Sequence, residues 1–86
     1  ESLALLDVYG RVARLLLEAA ETVDGRKVVK RKLTKQDIAK MIGASREMVS
    51  RVMRDLLNQG LIQERDGQLI LVDLAAFKRH SADVTN

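Results

Sequence analysis

Residues 34–58 have the sequence TKQDIAKMIGASREMVSRVMRDLLN, which contains the start and stop signals of two helices. Thr34 has the hydroxyl of an N-cap, which accepts from the first backbone N–H groups of a helix. Asp37 stands three residues later, where an acid reaches back to the cap. Gly43 ends the short apolar pattern that follows, and Ser45 is a second N-cap. The stretch therefore predicts two helices, over residues 35–42 and 46–58.

The two predicted helices have the spacing of a helix-turn-helix motif. Ala39 is small where the second helix would cross the first closely. Gly43 lies where the turn needs a left-handed backbone, which a Cβ disfavours. Val49, six residues after that glycine, is apolar where the second helix must seal onto the domain. An αα-hairpin without a ligand explains these three residues equally well, so the exposed side of the second helix has to separate the alternatives.

The second helix has two chemically different sides. One side is apolar and consists of Val49, Val52, Met53 and Leu56. The opposite side consists of Arg46, Glu47, Ser50, Arg51 and Arg54. Arginine donates bidentate hydrogen bonds to guanine O6 and N7, and glutamate accepts a hydrogen bond from cytosine N4. In this motif the first turns of the second helix enter the major groove. The pattern favours DNA reading over a merely solvated face, with Arg46, Glu47 and Arg51 as base-reading residues.

The charge of the chain is concentrated around this motif. Residues 26–54 hold ten basic and two acidic side chains, whereas the rest of the chain holds five basic and ten acidic ones. A basic segment within an otherwise acidic domain indicates a polyanionic partner, although a solvated basic face without a partner is the alternative.

The N-terminal part is predicted to be a single amphipathic helix over residues 2–21. Gly10 weakens this helix and marks either a break or a close contact. Leu3, Leu5 and Leu6 exceed the apolar surface that one small core needs. We therefore expect these leucines to pack against a partner chain or a preceding domain.

Turn signals divide the remainder of the chain. Asp24-Gly25 predicts a turn, and the apolar residues after it predict a short strand or an extended arm. Asp66-Gly67 joins two β-prone runs and tolerates the positive φ angles of a tight hairpin. The runs of the predicted hairpin are residues 61–65 and 68–72, and a short helix follows around residues 74–79.

These elements predict a fold that is mainly α with a small β-hairpin, an α+β winged helix-turn-helix. A chain of 86 residues fits one small domain. Because it begins at Glu1 instead of Met, we expect a piece of a longer protein. Residues 1–21 would be an N-terminal helix continuing from a dimerisation and effector region, and residues 22–86 the winged helix-turn-helix.

A second group of residues is predicted to contact the DNA backbone. Hydroxyl and amide groups at helix starts, together with free backbone N–H groups, hold phosphates, although the same side chains also serve as caps. Arg65 near the hairpin tip would reach a phosphate or the minor groove; a solvated turn charge is the alternative. The predicted backbone set is Thr34, Gln36, Ser45, Ser50, Arg54, Lys35 and Arg65. The remaining lysines, Lys27, Lys30, Lys32 and Lys40, are expected to form a diffuse electrostatic surface.

The motif resembles the C-terminal domain of the Crp/Fnr regulators, closest to the catabolite activator branch. The resemblance is carried by LTKQDIA at 33–39 and GASREMVSR at 43–51, and LDVYGRVA at 6–13 extends it to nearly the whole chain. It implies that an Arg-Glu-x-x-x-Arg set, here Arg46, Glu47 and Arg51, reads a TGTGA-type half-site. It also implies phosphate contacts by Thr34, Gln36 and Ser45.

The resemblance further implies a homodimer on double-stranded DNA. A domain before Glu1 would bind a cyclic nucleotide or another effector, and this fragment itself would hold no cofactor. Two positions depart from the family pattern. Met48 stands where threonine is common, and the loop at residues 22–27 is shorter than the one that touches RNA polymerase in the catabolite activator. Contact with RNA polymerase and the sign of regulation therefore stay open.

Several function classes find little support in the composition. The chain has no Cys and one His, so it offers no disulfide, thiol nucleophile or multi-His zinc site, and it contains no G-x-G-x-x-G or phosphate loop. We expect neither an enzyme nor a metal site, with His80 a spectator. With no apolar run long enough for a membrane span, a cytoplasmic protein is expected. The rival is a winged-helix protein-interaction module without specific DNA binding.

Overall fold

The computed structural model describes residues 3–82, which form four helices and one four-stranded antiparallel sheet. The helices are α1 (Leu3–Ala19), α2 (Lys35–Ile42), α3 (Arg46–Asn58) and α4 (Leu74–Ser81). The strands are β1 (Glu21–Val23), β2 (Arg26–Val29), β3 (Ile62–Arg65) and β4 (Gln68–Leu71). The winged helix-turn-helix predicted from the sequence is confirmed, and α2 and α3 have the predicted bounds.

Local interactions set the two helices of the motif. Thr34 Oγ1 accepts from the Asp37 backbone N–H at 3.0 Å, and Asp37 Oδ2 accepts from the Thr34 N–H at 3.1 Å, which completes a capping box. Ser45 Oγ accepts from the Met48 N–H at 3.1 Å and starts α3. Between the helices, Gly43 has φ of 74°, a left-handed conformation that favours glycine.

The sheet is larger than the predicted hairpin. Its strand order is β1-β2-β4-β3, with every neighbouring pair antiparallel. The wing hairpin β3–β4 turns at Asp66 and Gly67, whose φ angles are 54° and 76°. A second hairpin, β1–β2, turns at Asp24 and Gly25 with φ of 51° and 79°. The segment predicted as a short strand or extended arm is therefore the second strand of a hairpin, and it pairs along β4.

Helix α1 corrects two expectations about the start of the chain. It ends at Ala19 instead of residue 21. It continues through Gly10 without a break, and the burial of Gly10 agrees with the other alternative, a close contact. Leu5 is 4% exposed and belongs to the hydrophobic core, so it is not left over for another chain or domain. Leu6 does lie on the surface. The side chain of Leu3, named in the same expectation, lies outside the described residues.

One core joins all the helices to the inner face of the sheet. Its fully buried side chains include Leu16 of α1, Ile38 of α2, Leu56 of α3, Ile62 of β3 and Phe77 of α4. Because α1 packs on α4, α3 and α2, it forms the base on which the two-helix motif stands. Burial of the apolar side of α3 in this core fixes the position of the helix on the domain and leaves its charged side exposed.

Candidate nucleic-acid interface

Helix α3 carries the candidate interface on its exposed side. Val49 and Val52 are 0% exposed, and Met53 and Leu56 are also buried. On the other side, four charged side chains are exposed: Arg46, Glu47, Arg51 and Arg54. Ser50 lies half-buried at the boundary between the two sides. The structure thus separates the apolar and charged sides as the sequence pattern predicts.

The predicted base-reading residues line one shallow groove. It runs between the start of α1 and the exposed side of α3. The residues of this groove are Leu5, Arg46, Glu47, Met48, Ser50, Arg51, Arg54 and Asp55. Three guanidinium groups therefore share the groove with two carboxylates, a mixture that can donate to guanine and accept from cytosine. Arg46, Glu47 and Arg51 occupy the first two turns of α3, and all three side chains are exposed.

A second groove separates the wing from α2 and gathers part of the predicted backbone-contacting set. Its lining includes Thr34, Lys35 and Arg54 together with Arg31 and Lys32 from the segment before α2. Gly67 and Gln68 of the wing close its other side. Four cationic side chains, the single carboxylate of Glu64 and the N-terminus of α2 thus meet along one surface, on which positive charge predominates. Such a surface favours phosphate groups, because the helix end and the side chains both present positive charge.

Other members of the predicted backbone set lie apart from this groove. Gln36 is exposed in the first turn of α2, and Ser45 is exposed at the start of α3. Arg65 is exposed at the wing turn, but it lines a third groove with Arg26 and Lys27 on another part of the sheet. The structure therefore does not place Arg65 beside Thr34, Lys35 and Arg54.

Hydrogen bonds at the start of α2 favour the charged form of Asp37. The Thr34 backbone N–H, followed by the Thr34 hydroxyl, holds the pKa of the Asp37 carboxyl below its ordinary value, and Lys40 and Arg31 lower it further. The carboxylate is therefore stabilised in its charged form at the start of α2. In this position it serves the helix and not a ligand.

Two contacts of α1 with the motif have no counterpart in the sequence analysis. Arg11 Nη1 donates to the Ile42 carbonyl at 3.2 Å, while Arg11 Nε pairs with Asp7 Oδ2 at 2.7 Å. Tyr9 donates its hydroxyl to Asp55 of α3. Both contacts join residues more than thirty positions apart, so no spacing pattern could have indicated them. The only signal was the presence of a lone tyrosine in α1.

The chain matches one protein family over most of its length. The match is to the Crp-like helix-turn-helix domain and covers residues 10–80. The chain belongs to this family. It is a DNA-binding helix-turn-helix domain, and its relatives are transcriptional regulators and not enzymes, in agreement with the sequence prediction.

Relatives of this Crp-like domain include two cAMP-activated global transcriptional regulators. The chain is 40% identical over 75 residues to Vfr of Pseudomonas aeruginosa, covering 80% of this chain and 34% of that protein. It is 42% identical over 77 residues to CRP of Pasteurella multocida, covering 83% of this chain and 35% of that protein. The chain therefore spans about a third of the length of these relatives.

Solved structures show the same fold. The CO-dependent transcription factor CooA of Carboxydothermus hydrogenoformans matches with a TM-score of 0.78 at 27% identity, covering 92% of this chain and 38% of that one. A CRP/FNR-family transcriptional regulator of Thermus thermophilus matches with a TM-score of 0.72 at 30% identity, covering 93% of this chain and 43% of that one.

This Crp-like domain shows neither a metal-binding cluster nor a membrane-crossing helix in its described part. Among residues 3–82, His, Asp and Glu side chains form no group of three or more that could hold a metal ion. None of the helices within the same residues combines the length and hydropathy that a membrane crossing requires.

Proposed function

We propose that this Crp-like domain reads a TGTGA-like half-site by inserting the first turns of α3 into the major groove. Arg46 and Arg51 would each take a guanine, and Glu47 would accept from a cytosine N4. The observation that carries the proposal is the division of α3. Its four apolar residues are buried, whereas the three reading residues share one exposed groove.

The surrounding surface would hold the phosphates. Thr34, Lys35 and Arg54 lie along the basic groove beside the wing, close to the N-terminus of α2. Gln36, Ser45, Ser50 and Arg65 would add contacts from the two helix starts, from α3 and from the wing turn. Contacts of this kind fix the register of a protein on the duplex without reading sequence. They are expected to make binding strongly dependent on salt, because each neutralised phosphate releases counterions.

The proposal extends to the longer protein in which such a domain would act. A homodimer would bind two half-sites separated by about 34–36 Å, one turn of the DNA helix. Its effector, a cyclic nucleotide or another small molecule, would bind outside this chain, as suggested by the cAMP-activated relatives. We propose a cytoplasmic transcriptional regulator. Contact with RNA polymerase is proposed only as one route by which this regulator would act. The loop that makes this contact in the catabolite activator corresponds to the β1–β2 turn, which is short in this chain.

Selection of preferred duplexes from a random pool tests the proposal directly. The chain would be fused to a dimerising coiled coil, because a single domain binds half a site. We expect enrichment of inverted TGTGA-like half-sites and a steep loss of binding as salt rises. Enrichment of no sequence would contradict specific reading. An affinity for proteins that hardly changes with salt would favour the rival function, a winged-helix protein-interaction module.

A further inference from the structure

Tyr9 connects α1 to the helix that carries the proposed reading residues. Its hydroxyl donates a hydrogen bond to Asp55 Oδ2, which belongs to α3 and lies 46 positions later in the chain. Tyr9 is only 7% exposed. Its ring stacks on His80 of α4, with a centroid distance of 5.4 Å and an interplanar angle of 24°. His80 is half-buried, so it is a packing partner and not the spectator expected from the sequence. Packing and stacking therefore fix the ring, and the fixed ring determines where its hydroxyl lies.

Asp55 belongs to the same row of α3 as two of the proposed reading residues. Glu47, Arg51 and Asp55 follow one another at intervals of four residues, which places them on one side of the helix. Asp55 also lines the groove that contains Arg51. A carboxylate one turn from a guanidinium affects where that guanidinium rests, and a carboxylate near DNA is repelled by phosphates. The orientation of the Asp55 carboxylate therefore affects how Arg51 would contact a base.

We propose that Tyr9 is a positioning residue for base reading. By holding the Asp55 carboxylate, it sets the rotation of α3 about its own axis and so the place of Arg51 in the groove. This inference rests on the proposed function, since it requires Arg51 to read a base.

The physical basis is that hydrogen bonds are directional, whereas hydrophobic burial is not. The apolar side of α3, which includes Val49 and Leu56, holds the helix at its depth, but hydrophobic burial is non-directional and tolerates small rotations. A hydrogen bond weakens steeply when its angle changes. A two-pronged arginine–guanine contact needs a defined approach, so a small rotation of α3 would reduce discrimination before it reduced stability.

The first test is Tyr9→Phe, which removes one oxygen and keeps the ring. The chain is titrated at fixed salt with a duplex carrying one TGTGA half-site and with its single-base variants at the guanines. We expect the preference for TGTGA to fall by about three- to tenfold, because a hydrogen bond to a charged group is lost. Thermal unfolding of the same samples should stay cooperative, with a melting temperature lowered only as far as one lost hydrogen bond requires, since the buried ring and its stacking on His80 remain.

Two substitutions of Asp55 separate positioning from charge. Asp55→Asn keeps an acceptor for the Tyr9 hydroxyl and removes the charge, whereas Asp55→Ala removes both. We expect both variants to bind duplexes that lack the half-site more tightly, because a negative charge is gone. Only Asp55→Ala should lose the preference for TGTGA, and adding Tyr9→Phe to it should cause no further loss. Equal preference in the Asn and Ala variants would overturn the proposal, because a purely electrostatic role predicts that result.

The wild-type titration separates failure of the positioning role from failure of the proposed function. If the wild-type chain prefers TGTGA and Tyr9→Phe prefers it equally, the positioning role is wrong and the proposed function stands. If the wild-type chain shows no preference for any duplex, the proposed function is wrong and the positioning role fails with it. Should Tyr9→Phe fold poorly, Asp55→Ala asks the same question at a half-buried residue outside the core.

Discussion

The first turns of α2 and α3 are built alike but use their acids differently. Each helix begins at a hydroxyl cap, and each has a single acid in its first turn. In α2 the acid is Asp37, which occupies the third helical position and closes a capping box with Thr34. In α3 the acid is Glu47, which occupies the second helical position, while Met48 stands where the box would need an acid.

The acids of the two helices thus differ by one position: Asp37 closes a capping box, whereas Glu47 is one residue too early to do so and stays available to a ligand. A capping box needs its acid at the third position, so Glu47 cannot complete one with Ser45. Glu47 is exposed and lines the groove with Arg46 and Arg51. We infer that α2 is optimised as a support, whereas α3 leaves its first turn for binding. Substitutions in the two helices test this contrast, and the largest effect is expected in the core.

The largest effect should come from the buried side of the support. Ile38 of α2 is 0% exposed, so Ile38→Ala should reduce the free energy of unfolding by about 2–5 kcal/mol through lost burial and a cavity. Met41 of the same helix is 51% exposed, and Met41→Ala should change it by less than about 0.5 kcal/mol. Chemical denaturation of both variants measures the difference. Similar losses in the two would mean that α2 does not pack as described.

The next effect concerns DNA reading by α3. Arg51→Ala should lose about 1–3 kcal/mol of binding free energy on a TGTGA-like duplex and much less on unrelated DNA. Lys35→Ala in α2 is the matched control, since a lost phosphate contact should weaken all duplexes about equally and reduce the salt slope by about one unit. Titrations at several salt concentrations compare the two. A change of sequence preference in Lys35→Ala would show that it reads bases and would contradict our assignment.

The caps should show a smaller effect on stability. Thr34→Ala and Ser45→Ala should each reduce the free energy of unfolding by about 1 kcal/mol, because each leaves a first-turn N–H without its side-chain acceptor. Thr34→Ala should cost more of the two, since it also disrupts the capping box with Asp37. Thermal unfolding followed by circular dichroism measures both. A greater loss of unfolding free energy in Ser45→Ala than in Thr34→Ala would contradict the assignment of α2 as the support and α3 as the binding helix.

Replacing the acid of α3 should affect binding instead of stability. Glu47→Ala should reduce discrimination at one base pair by about two- to fivefold, while binding to mismatched duplexes rises because a repelling charge is gone. Its unfolding should match that of the wild type. The measurement is a titration against the preferred duplex and its single-base variants. Equal losses on every duplex would mean that Glu47 only positions α3.

The smallest effect is a pH dependence specific to Asp37. Its folded-state pKa lies below the ordinary value of 3.8, chiefly because the Thr34 N–H donates to the carboxylate. A depressed pKa stabilises the folded state at pH values above the unfolded pKa, and this contribution disappears as pH falls through the lower folded-state pKa. The melting temperature of the wild type should therefore exceed that of Asp37→Asn at neutral pH, and the difference should shrink below about pH 4. A difference that does not change with pH would contradict this role.

The accuracy of the sequence-based predictions depends on how local the deciding interactions are. The caps of α2 and α3 and the left-handed Gly43 involve atoms within four residues of one another, and all were predicted. The strand β1 was missed. Its residues Glu21 and Thr22 are exposed, so the alternation that indicates a half-buried strand is absent. The reading and backbone-contacting roles within the site stay predictions.

Three features follow from the amino-acid sequence alone: the two-helix motif, both Asp-Gly turns and the division of α3 into an apolar and a charged side. Each depends on propensity, capping or periodicity, which act along the chain. Three other features depend on how the elements pack: β2 pairs with β4, Leu5 belongs to the core, and Tyr9 donates a hydrogen bond to Asp55. These contacts join residues that are distant in sequence, and their free energy comes from burial and directional hydrogen bonds formed once the helices pack. No local pattern encodes which distant partner will be present.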